Sequence, residues 1–329
     1  MELNLNTVRY QIIFFIFIFL FSCEQKSSDQ NEDLNKKTAL NIQGYSLTGQ
    51  PLISAPPSEK VLADFEKHKN NYFSDTSNAD NLIWYGRFAA YKGDYIAAID
   101  IFSEGIRRFP SDARFYRHRG HRYISIRKFD LAISDLEKAA QLIEGTQNEI
   151  EPDGMPNAQN IPVSTLHGNV WYHLGLAYYL KHDFPNALRA YENCFAAGSN
   201  SDNIVSSTHW LYMIAQRMGE PDKANVYLEP ITGSMDIIEN MSYHRNCLFY
   251  KGIITEEELL GFEGAASAVD ATRYAIGNWH YYNGNHDKAK TIYSEMVAEK
   301  GWNSFGYIAA EADLGLMGSP PALKLRRTE

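Results

Sequence analysis

The sequence predicts an all-α solenoid of stacked helix–turn–helix repeats, and three observations lead there. Trp171, Leu174, Gly175 and Tyr178 are followed by Phe184, Ala187 and Tyr191. Spacings of three and four residues place the large side chains on one helix face, and the glycine lets a second helix approach closely. The small-residue markers then recur with a fixed period: Gly86 and Gly120 stand 34 residues apart, as do Ala98 and Ala132. Self-similarity at such a period is the mark of a repeat array. Finally, 44% of the 329 residues are hydrophobic and 13% aromatic, with 21 tyrosines, enough to pack a long core. The formal net charge of -9 argues against a nucleic-acid binder, which needs dense positive charge.

At the N-terminus, Arg9 precedes an apolar run from Ile12 to Phe21. A bilayer-spanning helix needs about 20 apolar residues, so this shorter run reads as a targeting segment. It ends in Leu20-Phe21-Ser22-Cys23, which resembles the lipobox of bacterial lipoproteins. The resemblance implies a signal peptide at 1–22 and lipidation of Cys23, with palmitate among the attached chains. It also implies a lipid-anchored protein of the bacterial cell envelope, at the outer membrane, with its soluble part in the periplasm or at the cell surface. The competing reading is an uncleaved anchor with an incidental cysteine. Residues 23–57, rich in Ser, Asn, Gln and Lys and closing on Pro51 and Pro56-Pro57, read as a flexible tether.

Residues 58–318 form the predicted solenoid. Ser58 caps a short helix whose Val61, Leu62 and Phe65 cover the first repeat. Repeat one spans 79–112, with a turn at Gly93-Asp94, and repeat two spans 113–146. Repeat three, at 168–201, comes 55 residues after repeat two for both Gly175 and Ala187, so an insertion lies between the repeats at 145–167. Repeat four, 205–236, carries Tyr212 in place of the close-packing glycine. A degenerate pair follows at 237–261, with Gly252 at its turn and a capping box at Thr255 and Glu258. Repeat five occupies 270–303. Phe305, Ile308, Ala309, Ala312 and Leu316 then form the stripe of a capping helix at 304–318, and 319–329 is a tail.

These markers resemble the tetratricopeptide repeat (TPR) family over about Ala79 to Leu316. The resemblance implies a right-handed superhelix whose first helices line a concave groove that binds a protein or an extended peptide. Transferred position by position, the groove residues are Arg87, Arg114, Arg117 and His121 at one end. Tyr172, Tyr179, Tyr274, Asn278, Tyr281 and Tyr282 follow at the other, with His209, Met213 and Arg217 between. The densest charge runs from Arg114 to Lys128, with no acid among its residues. Like charges at helical spacing disfavour a helix unless an anion compensates them. One reading gives these arginines a ligand carboxylate. The other pairs them internally with Glu149, Glu151 or Asp153 of the insertion, and with a partner for Arg119 at a normally apolar core position.

Glu149, Glu151 and Asp153 imitate the start of a calcium loop, but Asn160 stands where a bidentate Glu is required. His118 and His121 share a helix side, yet the surrounding arginines would repel a cation, so no metal and no cofactor are expected. No signature of an enzyme nucleophile, a phosphate-cradling loop or a zinc protease occurs. The function expected is a scaffold without chemistry of its own. A glycan-binding alternative rests on Tyr172, Tyr179, Tyr274, Tyr281 and Trp279 as stacking platforms. An enzyme built around the 145–167 insertion is the third and weakest reading. Cys194 reads as a packed, inert thiol. Radiolabelled palmitate fed to growing cells is expected to label the protein and to leave Cys23→Ala unlabelled; label persisting in the variant overturns the lipidation.

Overall fold

The computed structural model describes residues 41–261, 264–299 and 301–318. The signal peptide, Cys23, the tether up to residue 40 and the tail at 319–329 lie outside the described residues. The chain divides into two units, Met1–Ile42 and Gln43–Glu329, and the described helices all belong to the second.

That unit is an all-α solenoid of TPR type. Helix α1 (Glu59–Ser74) packs on repeat one, made of α2 (Ala79–Tyr91) and α3 (Tyr95–Arg108). Repeat two is α4 (Ala113–Ser125) and α5 (Phe129–Ile143); repeat three is α6 (Leu166–Leu180) and α7 (Phe184–Ala196). Repeat four is α8 (Ser201–Arg217) and the short α9 (Pro221–Leu228), and the degenerate pair is α10 (Met241–Tyr250) and α11 (Glu256–Leu260). Repeat five is α12 (Ala266–Tyr282) and α13 (His286–Val297), followed by α14 (Phe305–Leu316).

Local chemistry starts most of these helices. Ser58, Asn78, Asp94, Asp112, Thr165, Asp183, Asn200 and Ser304 each accept a hydrogen bond from an orphan backbone N–H of the first turn. The capping box at Thr255 and Glu258 is present, both of its hydrogen bonds made.

Within each pair, the first-helix glycine lies against a large residue of the second helix. A Cβ on Gly175 would come 2.6 Å from the Tyr191 ring, and one on Gly277 would come 2.5 Å from Tyr293. In repeat four that place is taken by Tyr212, whose ring is buried and stacks on Tyr250 at 4.3 Å. The side chain packs sideways onto α10, and α9 runs for only 8 residues.

The turn between paired helices needs one left-handed residue. Gly93, Gly219, Gly252 and Gly284 supply it at φ of +87°, +75°, +69° and +83°. In repeats two and three the same place holds Arg127 at φ 62° and His182 at φ 60°. A Cβ in this conformation costs roughly 1–2 kcal/mol, so both side chains are placed against a local backbone preference.

The stretch entering the solenoid differs from the expected tether. Residues Ile42–Tyr45 (β1) and Pro51–Ile53 (β2) pair as a hairpin. Ser46 Oγ accepts from the N–H groups of Thr48 and Gln50, and Gly49 turns the chain at φ 86°. Leu52 is buried, Ile96 N–H donates to Gln43 Oε1, and Ser54 Oγ donates to the Gly93 carbonyl. Polar composition concealed this segment, because its attachment relies on one leucine and on hydrogen bonds to repeat one.

The far end also returns to the start. Trp302 Nε1 donates to the Ile53 carbonyl, and Asn303 Nδ2 donates to the Tyr95 hydroxyl. The Leu47 N–H donates to Glu311 of α14. Helix α14 packs on α12 and α13 of repeat five and in addition reaches across to α6.

Gly175→Ala drives a methyl into the Tyr191 ring and is expected to lower stability by about 1–3 kcal/mol. Gly315→Ala, where an added Cβ meets nothing within 4 Å, is expected to be neutral or stabilising. Urea unfolding of the two variants checks the pair, and equal midpoints contradict the close-approach role.

Candidate functional site

Side chains of the first helices collect into two buried constellations, each organised by a carboxylate from a segment outside the regular repeats. The first centres on Asp313 of α14, which is 1% exposed. Arg217, ending α8, grips both of its oxygens at 2.9 and 3.1 Å. His182 Nε2 lies 3.0 Å from Oδ1, and the Tyr274 hydroxyl donates to Oδ2 at 2.9 Å. Burial opposes ionisation of Asp313, but Arg217 and His182 overcome it and hold the carboxyl below its usual range. Tyr179 and Tyr274 join hydroxyl to hydroxyl at 2.6 Å, Asn278 Oδ1 accepts from Arg217, and the Arg217 guanidinium sits 4.2 Å from the Tyr281 ring.

Two residues back along α14 toward Ser304 lies the companion acid, Glu311. Arg127 Nε donates to Glu311 Oε2 at 2.8 Å, and its Nη2 donates to the Trp302 carbonyl. Both residues that depart from glycine at the turn therefore point at α14.

The second constellation centres on Glu151, carried by the insertion across the inner side of α2 and α4. Arg117 Nη2 stands 3.3 Å from Oε2 and His118 Nε2 stands 3.1 Å from Oε1, while Asn169 Nδ2 donates to Oε2. Burial works against its charge, but Arg117 and His118 dominate and pull its pKa far down. Arg87 donates to the Pro152 carbonyl and lies 4.3 Å from the Trp84 ring. Around these groups, burial first and then neighbouring charge disfavour the imidazolium forms. His118 falls to about 3, and His121 and His173 lie well below 6.5. His121, His173 and Phe305 pack together as tilted and edge-on rings, the two imidazole centroids 4.2 Å apart.

Beside this cluster opens a cavity of about 230 Å³. Its lining includes Asn169, Tyr172 and His173 of α6, Asn203 and Ser206 of α8, Asn240, Tyr243 of α10, and Phe305. Tyr172 hydroxyl meets Tyr243 hydroxyl at 2.8 Å and accepts from Trp210 Nε1, which fixes one wall.

The ten residues expected in the groove thus do not fall in one place. Tyr179, Tyr274, Asn278 and Tyr281 surround Arg217 and Asp313, and Tyr282 lies edge-on to Tyr212. Arg87, Arg117 and His121 join the Glu151 cluster, with Tyr172 on the cavity wall. Arg114 stands apart, bonded to Asp80 at 2.6 Å and bidentate to Asp112. Internal pairing therefore accounts for Arg114 and for most of Arg117. Arg119, at its core position, meets Asp135 through two bonds of 2.7 Å.

Glu311 and Asp313 are not among the site residues that the repeat pattern predicts. Their signal was two acids inside an otherwise apolar helix, FGYIAAEADLGL. Cys194 and Cys247 are both free and buried, and burial pushes the Cys194 thiol up to about 12. Among the described residues no group of three or more His, Cys, Asp or Glu is arranged to hold a metal ion.

No known family profile matches the chain. Three solved structures show a low-level similarity to it. One is MamA, at 16% identity over 60% of this chain and 95% of that one, TM-score 0.40. Another is YrrB, described as a TPR protein with an unusual peptide-binding site, at 14% identity over 76% and 99%, TM-score 0.42. A third is the Naa15/Naa10 complex bound to HypK-THB, at 14% identity over 76% and 38%, TM-score 0.34. The class defined by the fold is the TPR-type solenoid; identities this low carry no residue-level correspondence.

His118, His173 and His209 are buried, His121 is part-buried, and all four are held neutral, His209 also down to about 3. In the unfolded chain a histidine titrates near pH 6.5. Unfolding therefore takes up protons below that pH, so the contribution is complete above it and is lost as pH falls toward the native values. Stability is expected to drop between about pH 7 and about pH 5, by up to about 1.4 kcal/mol per pH unit per histidine. The depressed carboxyls Glu151 and Asp313 add a separate loss only below about pH 4. Urea midpoints measured across that range check this, and a flat profile from pH 7 to 5 contradicts the neutral assignment.

Proposed function

We propose that this protein is a scaffold that binds a protein or an extended peptide on the inner face of its solenoid, from a lipid-anchored position in the bacterial envelope. The observation that carries the binding part is the cavity between α6, α8, α10 and Phe305. Ligand pockets for small molecules run to roughly 300–1,000 Å³. At about 230 Å³ this one has room for a side chain or a chain end of a partner. Its walls mix aromatic rings with amides and hydroxyls, which suits a polypeptide anchored by one ring or one polar tip.

The closed inner face adds support. Repeats two to five already hold a helix of this same chain through carboxylate–guanidinium pairs, Glu311 with Arg127 and Asp313 with Arg217. The face is therefore built to take a helical segment bearing acids, and the cavity lies next to the start of that helix, at Phe305. The glycan reading loses ground on the same geometry. Tyr179 and Tyr274 are each 1% exposed and offer no free face to a sugar ring. The envelope location rests on Arg9, the apolar run Ile12 to Phe21 and Cys23.

A photo-crosslinking amino acid in place of Asn240, on the cavity wall, is expected to capture a polypeptide from an envelope fraction. The same group in place of Leu131, exposed on α5, is expected to capture none. Adducts of equal yield at both positions, or adducts that resist protease and yield to glycosidase, overturn the reading.

A further inference from the structure

The cavity between α6, α8 and α10 is lopsided in its hydrogen-bonding capacity. Asn169, Asn203 and Asn240 all contribute to its lining. The nitrogen of each amide is held against an oxygen of the chain. Asn169 Nδ2 donates to Glu151 Oε2, Asn203 Nδ2 to the Cys194, Phe195 and Gly198 carbonyls, and Asn240 Nδ2 to the Asp202 carbonyl. Those oxygens can only accept, so the orientation of each amide is settled by its partner. What remains on the other branch is Oδ1, an acceptor that no hydrogen bond reaches among the described residues.

His173 adds a further acceptor to the same lining. Its Nδ1 lies 2.6 Å from the Asn169 carbonyl, which can only accept, so the proton of the neutral ring sits on Nδ1. Burial first, and then the charge of Arg117, hold the ring neutral; Arg117 itself is paired with Glu151 and is not part of the lining. Nε2 is therefore a lone pair without a partner among the described residues, on a side chain only 4% exposed. Glu239 stands at the rim, where Oε1 accepts from Asn157 Nδ2 and Oε2 is unpaired among the described residues. Asp202 lies deeper and is satisfied by the backbone N–H groups of Ile238, Glu239 and Asn240. The lining thus holds two carboxylates and no lysine or arginine. Its remaining donors are chiefly hydroxyls, of Ser164, Thr165 and the Tyr172–Tyr243 pair, and a hydroxyl accepts as readily as it donates.

We propose that this cavity takes a basic side chain, arginine or lysine, of the polypeptide that the solenoid binds. The inference rests on the polypeptide-binding reading and names the group that fills the pocket. Fixed acceptors are satisfied best by a group that only donates. A guanidinium has five N–H donors and an ammonium three, and neither accepts. A carboxylate tip would set oxygen against oxygen, with no cation in the lining to answer it. The rings of Tyr172, Tyr243 and Phe305 suit the flat or methylene part of a basic side chain. This chemistry is the reverse of that at Arg127 and Arg217, which hold the acids of α14.

The test follows the indole N–H signals of the full chain by NMR, with Trp210 Nε1, bonded to the Tyr172 hydroxyl of the cavity wall, as the reporter. N-acetyl-arginine amide and N-acetyl-lysine amide are the probes, and at least one is expected to move that signal saturably. N-acetyl-citrulline amide has the shape of the arginine probe without its charge, and it is expected to bind about tenfold more weakly, the scale of one charge-assisted hydrogen bond. Tighter binding of the arginine probe identifies a guanidinium and tighter binding of the lysine probe an ammonium; either supports the proposal. Glu239→Lys brings a cation of the chain to the rim and is expected to weaken the basic probes about tenfold as well. Glu257→Lys, the same change of charge at an exposed position of α11, is expected to leave them unchanged. Citrulline bound as tightly as arginine overturns the proposal, and so does an equal loss in the two variants. The citrulline comparison uses the unaltered chain, so it decides the matter even where Glu239→Lys fails to fold. Capture of a polypeptide by the cross-linker at position 240, without preference for a basic probe, sinks the present inference alone. Preference for a basic probe without capture sinks the polypeptide reading and keeps the cation pocket.

Discussion

Asp313 lies in the interior with almost none of its surface exposed, and a carboxylate so placed must find positive partners or give up its charge. Arg217, His182 and the Tyr274 hydroxyl provide those partners, each from a different repeat. Glu311, two residues earlier, does the same with Arg127 of repeat two and with the Leu47 N–H of the entering hairpin. A repeat array ordinarily needs contacts only between neighbours. Here a single helix ties repeats two, three, four and five to one another and to the hairpin. Removing one member of such a pair leaves a buried charge unanswered, which costs about 3–5 kcal/mol, so the long-range closure is cooperative.

The backbone records the same constraint. Four of the interhelical turns use glycine where a left-handed residue is required, and two use Arg127 and His182. A glycine would relax those two turns. It would also remove the side chains that meet Glu311 and Asp313. Local strain of this kind persists where surrounding structure over-determines it, and here the determining structure is α14. Arg127 is bonded on three sides, to Glu311, to the Trp302 carbonyl and to the Ser125 carbonyl, which fixes the turn and the helix together.

Closure changes what the inner face can offer. Tyr274 bonds to Asp313 of α14, with Tyr179 joined to Tyr274 and Asn278 to Arg217 behind it, and all three are buried in the core. What stays open is the cavity between α6, α8 and α10, with the insertion and Phe305 at its edge. There the insertion delivers one carboxylate to a wall of arginines, and the cavity opens against Tyr172 and Tyr243.

The repeat architecture was legible in the sequence because each pair of helices needs the same local devices. The glycine at 86, 120, 175 and 277, the caps at 94, 112 and 183, and the 34-residue period all act within one repeat, so periodicity exposes them. Placement of the insertion between repeats was equally readable, since two markers shift together. Ion pairing of Arg119 could be anticipated from its core position, though the partner, Asp135, could not. The hairpin at 42–53 escaped notice because its composition is that of a loop and its attachment comes from distant hydrogen bonds. Which carboxylate meets which arginine was decided by the tertiary structure alone: Glu311 and Arg127 are separated by 184 residues, and Asp313 and Arg217 by 96. Short-range spacing fixes how each helix pair forms. Charge pairing over such separations follows from how the solenoid brings its ends together, and no local pattern encodes that.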